Sequence, residues 1–262
     1  MRVAELSGLT VHYADDGPVD GPAVVFANSL GTDLRVWDAV LPLLPQGLRL
    51  VRYDKRGHGL TQATPGPYGI DQLAGDAAAL MDHLGLRDAV FVGLSIGGLI
   101  GQLLAARRPD LLRGLVLSNT AAKIGTPELW RDRIATIRAG GIEAIGAATM
   151  ERWFSPAFRQ TPECRAWQLM LERQPLDGYA AACEAIAAAD LRDGTAALRL
   201  PALAIAGELD GATPPEIVAD TAALIAGARV EVIPGAGHLP NVEAAPAYAD
   251  LLTRFLKEIG HA

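Results

Sequence analysis

The sequence predicts an α/β fold, a mostly parallel β-sheet flanked by helices with a helical segment inserted late in the chain. Three observations carry this. Short apolar runs recur with helical patterns between them, the first two strands turn back on each other, and strand signals vanish between Asn119 and Leu200. At 262 residues the chain suits one large domain that buries its core without disulfide staples.

In chain order, Arg2 to Leu6 and Leu9 to Tyr13 read as two strands turning at Ser7-Gly8, an antiparallel start. Ala23 to Ala27 is a continuous apolar run of the kind buried on both faces, and Leu48 to Tyr53 and Ala89 to Val92 repeat it. Further strands are expected at Gly114 to Leu117, Ala202 to Ala206 and Val230 to Ile233, with helices near Gly97 to Arg107, Pro215 to Ile225 and Ala244 to Ile259. The stretch without strands reads as several helices broken at Gly140-Gly141, Pro156, Pro162 and Pro175. Residues 1–122 and 196–262 are therefore assigned to the sheet core and 123–195 to a helical cap. No internal repeat or low-complexity tract is visible.

Composition removes several function classes. Half the residues are apolar, but in runs too short to span a bilayer, so no transmembrane helix is expected. A net charge of −7 argues against a nucleic-acid or anionic-membrane surface, both of which need a basic face. It leaves a small anionic substrate open, because such a molecule feels only its pocket. Met1 to Leu6 lacks a basic region followed by an apolar segment, so a cytoplasmic location is expected. Cys164 and Cys183 form neither a disulfide framework nor a zinc site and are expected as reduced, partly buried thiols. With no ligand cluster and no dinucleotide fingerprint, no metal or organic cofactor is expected. Oligomeric state leaves no readable signal.

The chemistry lies in Gly93-Leu94-Ser95-Ile96-Gly97, a G-x-S-x-G pattern where a strand meets a helix. So tight a turn brings neighbouring chain close, and the positions two before and two after the serine need to be small, as Gly93 and Gly97 are. Ser95 is the predicted nucleophile. A serine hydroxyl is weak at neutral pH and needs an imidazole to take its proton and a carboxylate to hold that imidazole. Of the five histidines, His12 lies in an early strand, His58 in the loop Asp54 to Gly59, His83 in a helix and His261 at what reads as a frayed terminus. His238 alone follows the last strand, in a small-residue loop, where the chain order serine, acid, histidine of the α/β-hydrolase fold puts the base. Asp210 ends a strand and runs into Thr213-Pro214-Pro215 at a helix start, and is the predicted acid. Glu208 competes but is expected to point elsewhere. Backbone N–H groups of Ile96 and Leu30 are the expected oxyanion donors. Arg56 and His58 are read as structural.

Beyond the triad, Asn28 to Asp33, Asp54 to Gly59, Asn119 to Thr126 and Glu151 to Pro156 resemble the 3-oxoadipate enol-lactonases across nearly the whole chain. Asn28-Ser29 stands where many relatives of the fold carry His-Gly. The resemblance implies hydrolysis of 3-oxoadipate enol-lactone in the breakdown of aromatic compounds. That ring carries a free carboxylate, and burying an anion unpartnered costs several kcal/mol, so a cap cation is expected. Trp130 and Arg133 lie three apart on one helix face, and arginine fits a carboxylate bidentately. Arg133 is the expected anion partner, with Trp130 and Trp153 as pocket walls. Two alternatives stay open: another esterase, perhydrolase-like or carbon–carbon bond hydrolase with the same triad and a different cap, and a non-catalytic ligand receptor on the fold. A dehalogenase is disfavoured, since its nucleophile at position 95 would be Asp.

Overall fold

A computed structural model describes residues 1–262. The chain opens with strands β1 (Arg2–Leu6), β2 (Leu9–Asp16), β3 (Ala23–Ala27) and β4 (Arg49–Tyr53), followed by helix α1 (Ile70–His83). Strand β5 (Ala89–Leu94), helix α2 (Ile96–Arg107) and strand β6 (Leu112–Ser118) complete the first half. Helices α3 (Pro127–Gly140), α4 (Gly146–Trp153), α5 (Pro162–Glu172), α6 (Leu176–Ala188) and α7 (Arg192–Ala196) follow without a strand among them. The chain then returns to strand β7 (Ala202–Gly207), helix α8 (Pro215–Ala223), strand β8 (Arg229–Ile233) and helices α9 (Pro240–Glu243) and α10 (Ala245–Glu258).

All eight strands share one sheet in the order β1-β2-β4-β3-β5-β6-β7-β8. Only β2 runs against the others, antiparallel to both β1 and β4, and every pairing from β4 to β8 is parallel. The centre is dry, since every residue of β3, β5 and β7 is buried, as continuous apolar runs between helix layers require. Gly114 faces Phe255 of α10 and Ile259 just after it, whereas Gly101 of α2 meets Leu115 and Phe91. Because successive strand residues point to opposite faces, α2 and α10 cover opposite sides of the sheet.

The structure differs from the sequence reading in four places. β4 alternates buried and half-buried positions, because Arg49 and Arg52 interrupt its apolar run and reach out to Asp15, Asp16 and Asp38. The final helix starts in two pieces, with Ala244 non-helical between α9 and α10. Cys164 and Cys183 are buried outright and unpaired. His261 is not frayed: Gly260 turns the chain back at φ 66°, and the buried imidazole Nε2 meets the Ala23 carbonyl at 2.9 Å. No helix is long and apolar enough to cross a membrane.

Candidate active site

Ser95 sits between the end of β5 and the start of α2 at φ 57° and ψ −117°, a left-handed backbone that a side-chain-bearing residue holds only under constraint. The constraint is close approach. A Cβ on Gly93 would lie 2.2 Å from the Gly97 carbonyl oxygen, and one on Gly97 would lie 2.3 Å from the Ala27 carbonyl oxygen, so only glycine lets α2 dock against β3. From the other side, Ser95 N–H donates to the Ser118 carbonyl at 2.9 Å and Thr120 Oγ1 to the Ser95 carbonyl at 2.6 Å.

Asp210 and His238, the expected acid and base, come from the loops after β7 and β8, which the parallel register brings together. His238 Nδ1 lies 2.8 Å from Asp210 Oδ2, with both side chains almost fully buried. An ionised carboxylate only accepts, so Nδ1 carries the proton and Nε2 is left as the free base. Asp210 is held from every side: Oδ1 accepts from the Ala212 and Thr213 N–H groups, and Oδ2 from Asn119 Nδ2 at 2.8 Å and Thr213 Oγ1 at 2.7 Å. Burial pushes this carboxyl up, but the neighbouring His238 and the hydrogen bonds from His238, Asn119 and Thr213 more than offset it, leaving it below the ordinary carboxylate value. Glu208 points away, as expected, and accepts from the Gly235 N–H at 2.7 Å.

Ser95 and His238 meet at one cavity, though without a hydrogen bond between their side chains. Leu30, Trp130, Arg133 and Trp153 line the same cavity, together with Arg152 and Tyr179. The space is narrow, about 40 Å³. A far larger cleft of about 810 Å³ runs between α5 and residues 33–39, but none of Ser95, Asp210 and His238 reaches it, so size alone does not locate the chemistry. The N–H groups of Leu30 and Ile96 donate to no protein acceptor, the state required of oxyanion donors.

Arg133 is fixed at both ends of its guanidinium, Nε donating to Tyr179 Oη and Nη2 to Thr149 Oγ1, each at 2.9 Å, with Tyr179 presenting its ring 5.7 Å away. It has no carboxylate partner, whereas Arg131 pairs with Glu128 on the exposed side of α3. Arg152 was not anticipated. It has neither an ion pair nor a hydrogen bond, and burial, with Arg133 nearby, holds its guanidinium below its ordinary value. Asn119, Thr213, Thr149 and Tyr179 were also missed as site residues. The nearest signal for Arg152 was its place beside Trp153, whereas Asn119 and Tyr179 gave no pattern of their own. Away from the site, Arg56 pairs with Asp76 and His58 lies buried beside the Arg56 carbonyl, as the structural reading holds. No three His, Cys, Asp or Glu side chains converge where a metal ion could sit.

The sequence profile of the alpha/beta hydrolase family matches residues 24–251. The chain is 38% identical over 254 residues to 3-oxoadipate enol-lactonase 2 of Acinetobacter baylyi, spanning 95% of this chain and 94% of that protein. It is 33% identical to 3-oxoadipate enol-lactonase 1 of the same organism, over 99% and 97% of the two chains. The crystal structure of the enol-lactonase from Burkholderia xenovorans LB400 superposes with a TM-score of 0.94 at 40% identity, covering 98% of this chain and 100% of that one. Fold, strand-to-helix serine and sequence kinship together make this chain a member of the alpha/beta hydrolase family, among its 3-oxoadipate enol-lactonases.

Proposed function

We propose that the protein hydrolyses 3-oxoadipate enol-lactone to 3-oxoadipate through an acyl-enzyme on Ser95. The observation that carries this reading is a pair of arginines without carboxylate partners, Arg133 and Arg152, in the cavity that Ser95 and His238 share. A half-buried cation without an anion partner costs some stability, and the lactone brings one carboxylate. A neutral ester gives these cations nothing.

In the reaction, Ser95 Oγ attacks the lactone carbonyl while His238 Nε2 takes its proton, and Asp210 holds the resulting imidazolium. The Leu30 and Ile96 N–H groups receive the charge on the tetrahedral oxygen. The bond to the enol oxygen then breaks, His238 returns the proton to that oxygen, and the released enol becomes the ketone. Water, deprotonated by His238, attacks the acyl carbonyl and frees Ser95 with a second carboxylate on the product. Trp130 and Trp153 wall the ring, and Arg133 binds its carboxylate. At about 40 Å³ the cavity is far smaller than the roughly 300–1,000 Å³ of ordinary ligand pockets, so the lactone enters only when a wall side chain shifts. Arg152, without a hydrogen bond of its own, is the wall least restrained.

In this reading, residues 1–122 and 196–262 form the catalytic core and 123–195 a cap that selects the substrate, because the two arginines and two tryptophans all come from the strandless segment. A cytoplasmic location completes the proposal, in keeping with two buried, unpaired thiols. The direct test follows the loss of enol-lactone ultraviolet absorbance on adding purified protein, with Ser95→Ala beside it. Rapid loss with the native chain and none with the variant is expected. Turnover of an activated neutral ester with no action on the enol-lactone would remove the substrate assignment and leave only a general esterase.

A further inference from the structure

We propose that Lys55 is a positioning residue for this reaction: its buried Nζ clamps the Ser29 carbonyl from the core side and thereby aims the Leu30 N–H at the oxyanion. The inference rests on Leu30 being an oxyanion donor.

The register creates the contact. β3 and β4 are adjacent parallel strands with Ala27 opposite Tyr53, so the segments leaving them carry Ser29 and Lys55 side by side two residues later. Lys55 is only 2% exposed, and its Nζ donates to the Ser29 carbonyl at 2.6 Å, with the Thr32 carbonyl at 3.5 Å. The same Ser29 oxygen accepts from the Thr32 N–H at 3.3 Å and from Thr32 Oγ1 at 3.0 Å. Gly31, at φ 80°, has the left-handed backbone that the third position of a type II turn over Ser29–Thr32 demands.

What matters is which peptide is held. The Ser29 carbonyl and the Leu30 N–H are the two ends of one planar trans peptide and point in opposite directions. Fixing the carbonyl inside the core fixes the N–H outside it, on the side where Leu30 lines the cavity with Ser95. A donor on the carbonyl also draws electron density through the amide and makes the far N–H a stronger donor, most strongly while Nζ is protonated.

Lys55 is not engaged elsewhere. Asp54 accepts from His12 Nδ1 and from the Leu34 and Leu60 N–H groups, and Asp33 holds Arg35, so neither acid closes an ion pair with the ammonium. Burial pushes Lys55 down to about 7 against the pull of Asp54 and Asp33. The fold keeps a costly buried lysine whose hydrogen bonds go to the oxyanion loop.

The test is a double-mutant cycle on 4-nitrophenyl acetate, a neutral ester indifferent to the lactone assignment. Leu30→Pro deletes the N–H, and proline suits the second position of a type II turn. Removing a whole oxyanion donor costs roughly a hundred- to a thousandfold in kcat, so misaiming one by Lys55→Met should cost about ten- to a hundredfold, with KM nearly unchanged. Affinity for a boronic acid that adds to Ser95 should fall by the same factor, and Lys55→Gln, which keeps an uncharged donor, should lie between. In the Leu30→Pro background, Lys55→Met should lower kcat no further. Equal losses in both backgrounds, or a change confined to KM, overturn the role of Lys55. Full activity in Leu30→Pro itself overturns instead the oxyanion assignment beneath it.

Discussion

The His238 N–H donates to the carbonyl of Trp153 at 2.8 Å, so the backbone of the base is fixed by the strandless helical segment and not by the sheet. A Cβ on the preceding Gly237 would lie 2.4 Å from that same oxygen, which shows how closely the two chains pass. Glu243 on α9 completes the junction, accepting from the Gly237 N–H at 2.9 Å and from the N–H and hydroxyl of Ser155. His238 and the Trp153 wall are therefore joined through backbone contacts and a shared carboxylate.

Glu243→Ala should uncouple them. It leaves the Gly237 and Ser155 donors without their acceptor, and an unmade hydrogen bond of this kind costs about 1–3 kcal/mol. We expect a lower Tm together with a kcat reduced on both lactone and neutral ester, since the base serves every substrate. A variant that melts lower but turns over normally would show that the junction holds the fold and not His238.

The two arginines should separate by substrate. A charge-assisted contact to a carboxylate is typically worth ~1.5–3 kcal/mol, so Arg133→Ala should lower kcat/KM for the enol-lactone by about ten- to a hundredfold and barely affect 4-nitrophenyl acetate. Arg152→Ala should show the same selectivity with a smaller loss of stability, because Arg133 also satisfies Tyr179 and Thr149 whereas Arg152 makes no hydrogen bond. Equal losses on both substrates would return either residue to a packing role.

Asn119 sits at φ 45° and donates to Asp210, a pairing that depresses the carboxyl. A carboxyl lowered in the folded state adds stability above its unfolded value, and that stability is lost as pH falls through the folded value. Asn119→Gly removes the donor without straining the left-handed backbone. The acid-unfolding midpoint should therefore move to higher pH, read by circular dichroism, and kcat should fall by about tenfold as His238 loses its alignment. Superimposable acid-unfolding curves for native chain and variant would dismiss this account.

Lys55 has the opposite sign. Its folded value is about 7 against an ordinary 10.5, so between these limits the unfolded chain holds a proton that the folded chain does not. Stability from this group rises with pH across that window and is lowest at its acid end. The Tm of Lys55→Met relative to the native chain should fall as pH climbs from 7 to 9, the variant being relatively favoured at pH 7. Taking the difference cancels other groups that titrate there, including the Cys183 thiol, which burial pushes up to about 12. A difference independent of pH would mean that Lys55 is not the titrating group.

The sequence by itself determined the sheet, the strandless insertion and the places of Ser95, Asp210 and His238, because each depends on local signals. Apolar runs read as buried strands, a G-x-S-x-G turn admits only small flanking residues, and the order of serine, acid and histidine follows from the order of parallel strands. Trp130, Arg133 and Trp153, named through resemblance and helix spacing, line one cavity with Ser95 in the structure. What only the tertiary structure decided is who meets whom across the chain. Asn119 reaches Asp210, Tyr179 reaches Arg133 and Lys55 reaches the Ser29 carbonyl across separations for which no periodicity exists. A lysine in a turn reads as a solvated charge, and an asparagine after a strand reads as a turn residue. Their hydrogen-bond partners exist only once the strand order and register have brought distant loops to the same edge of the sheet.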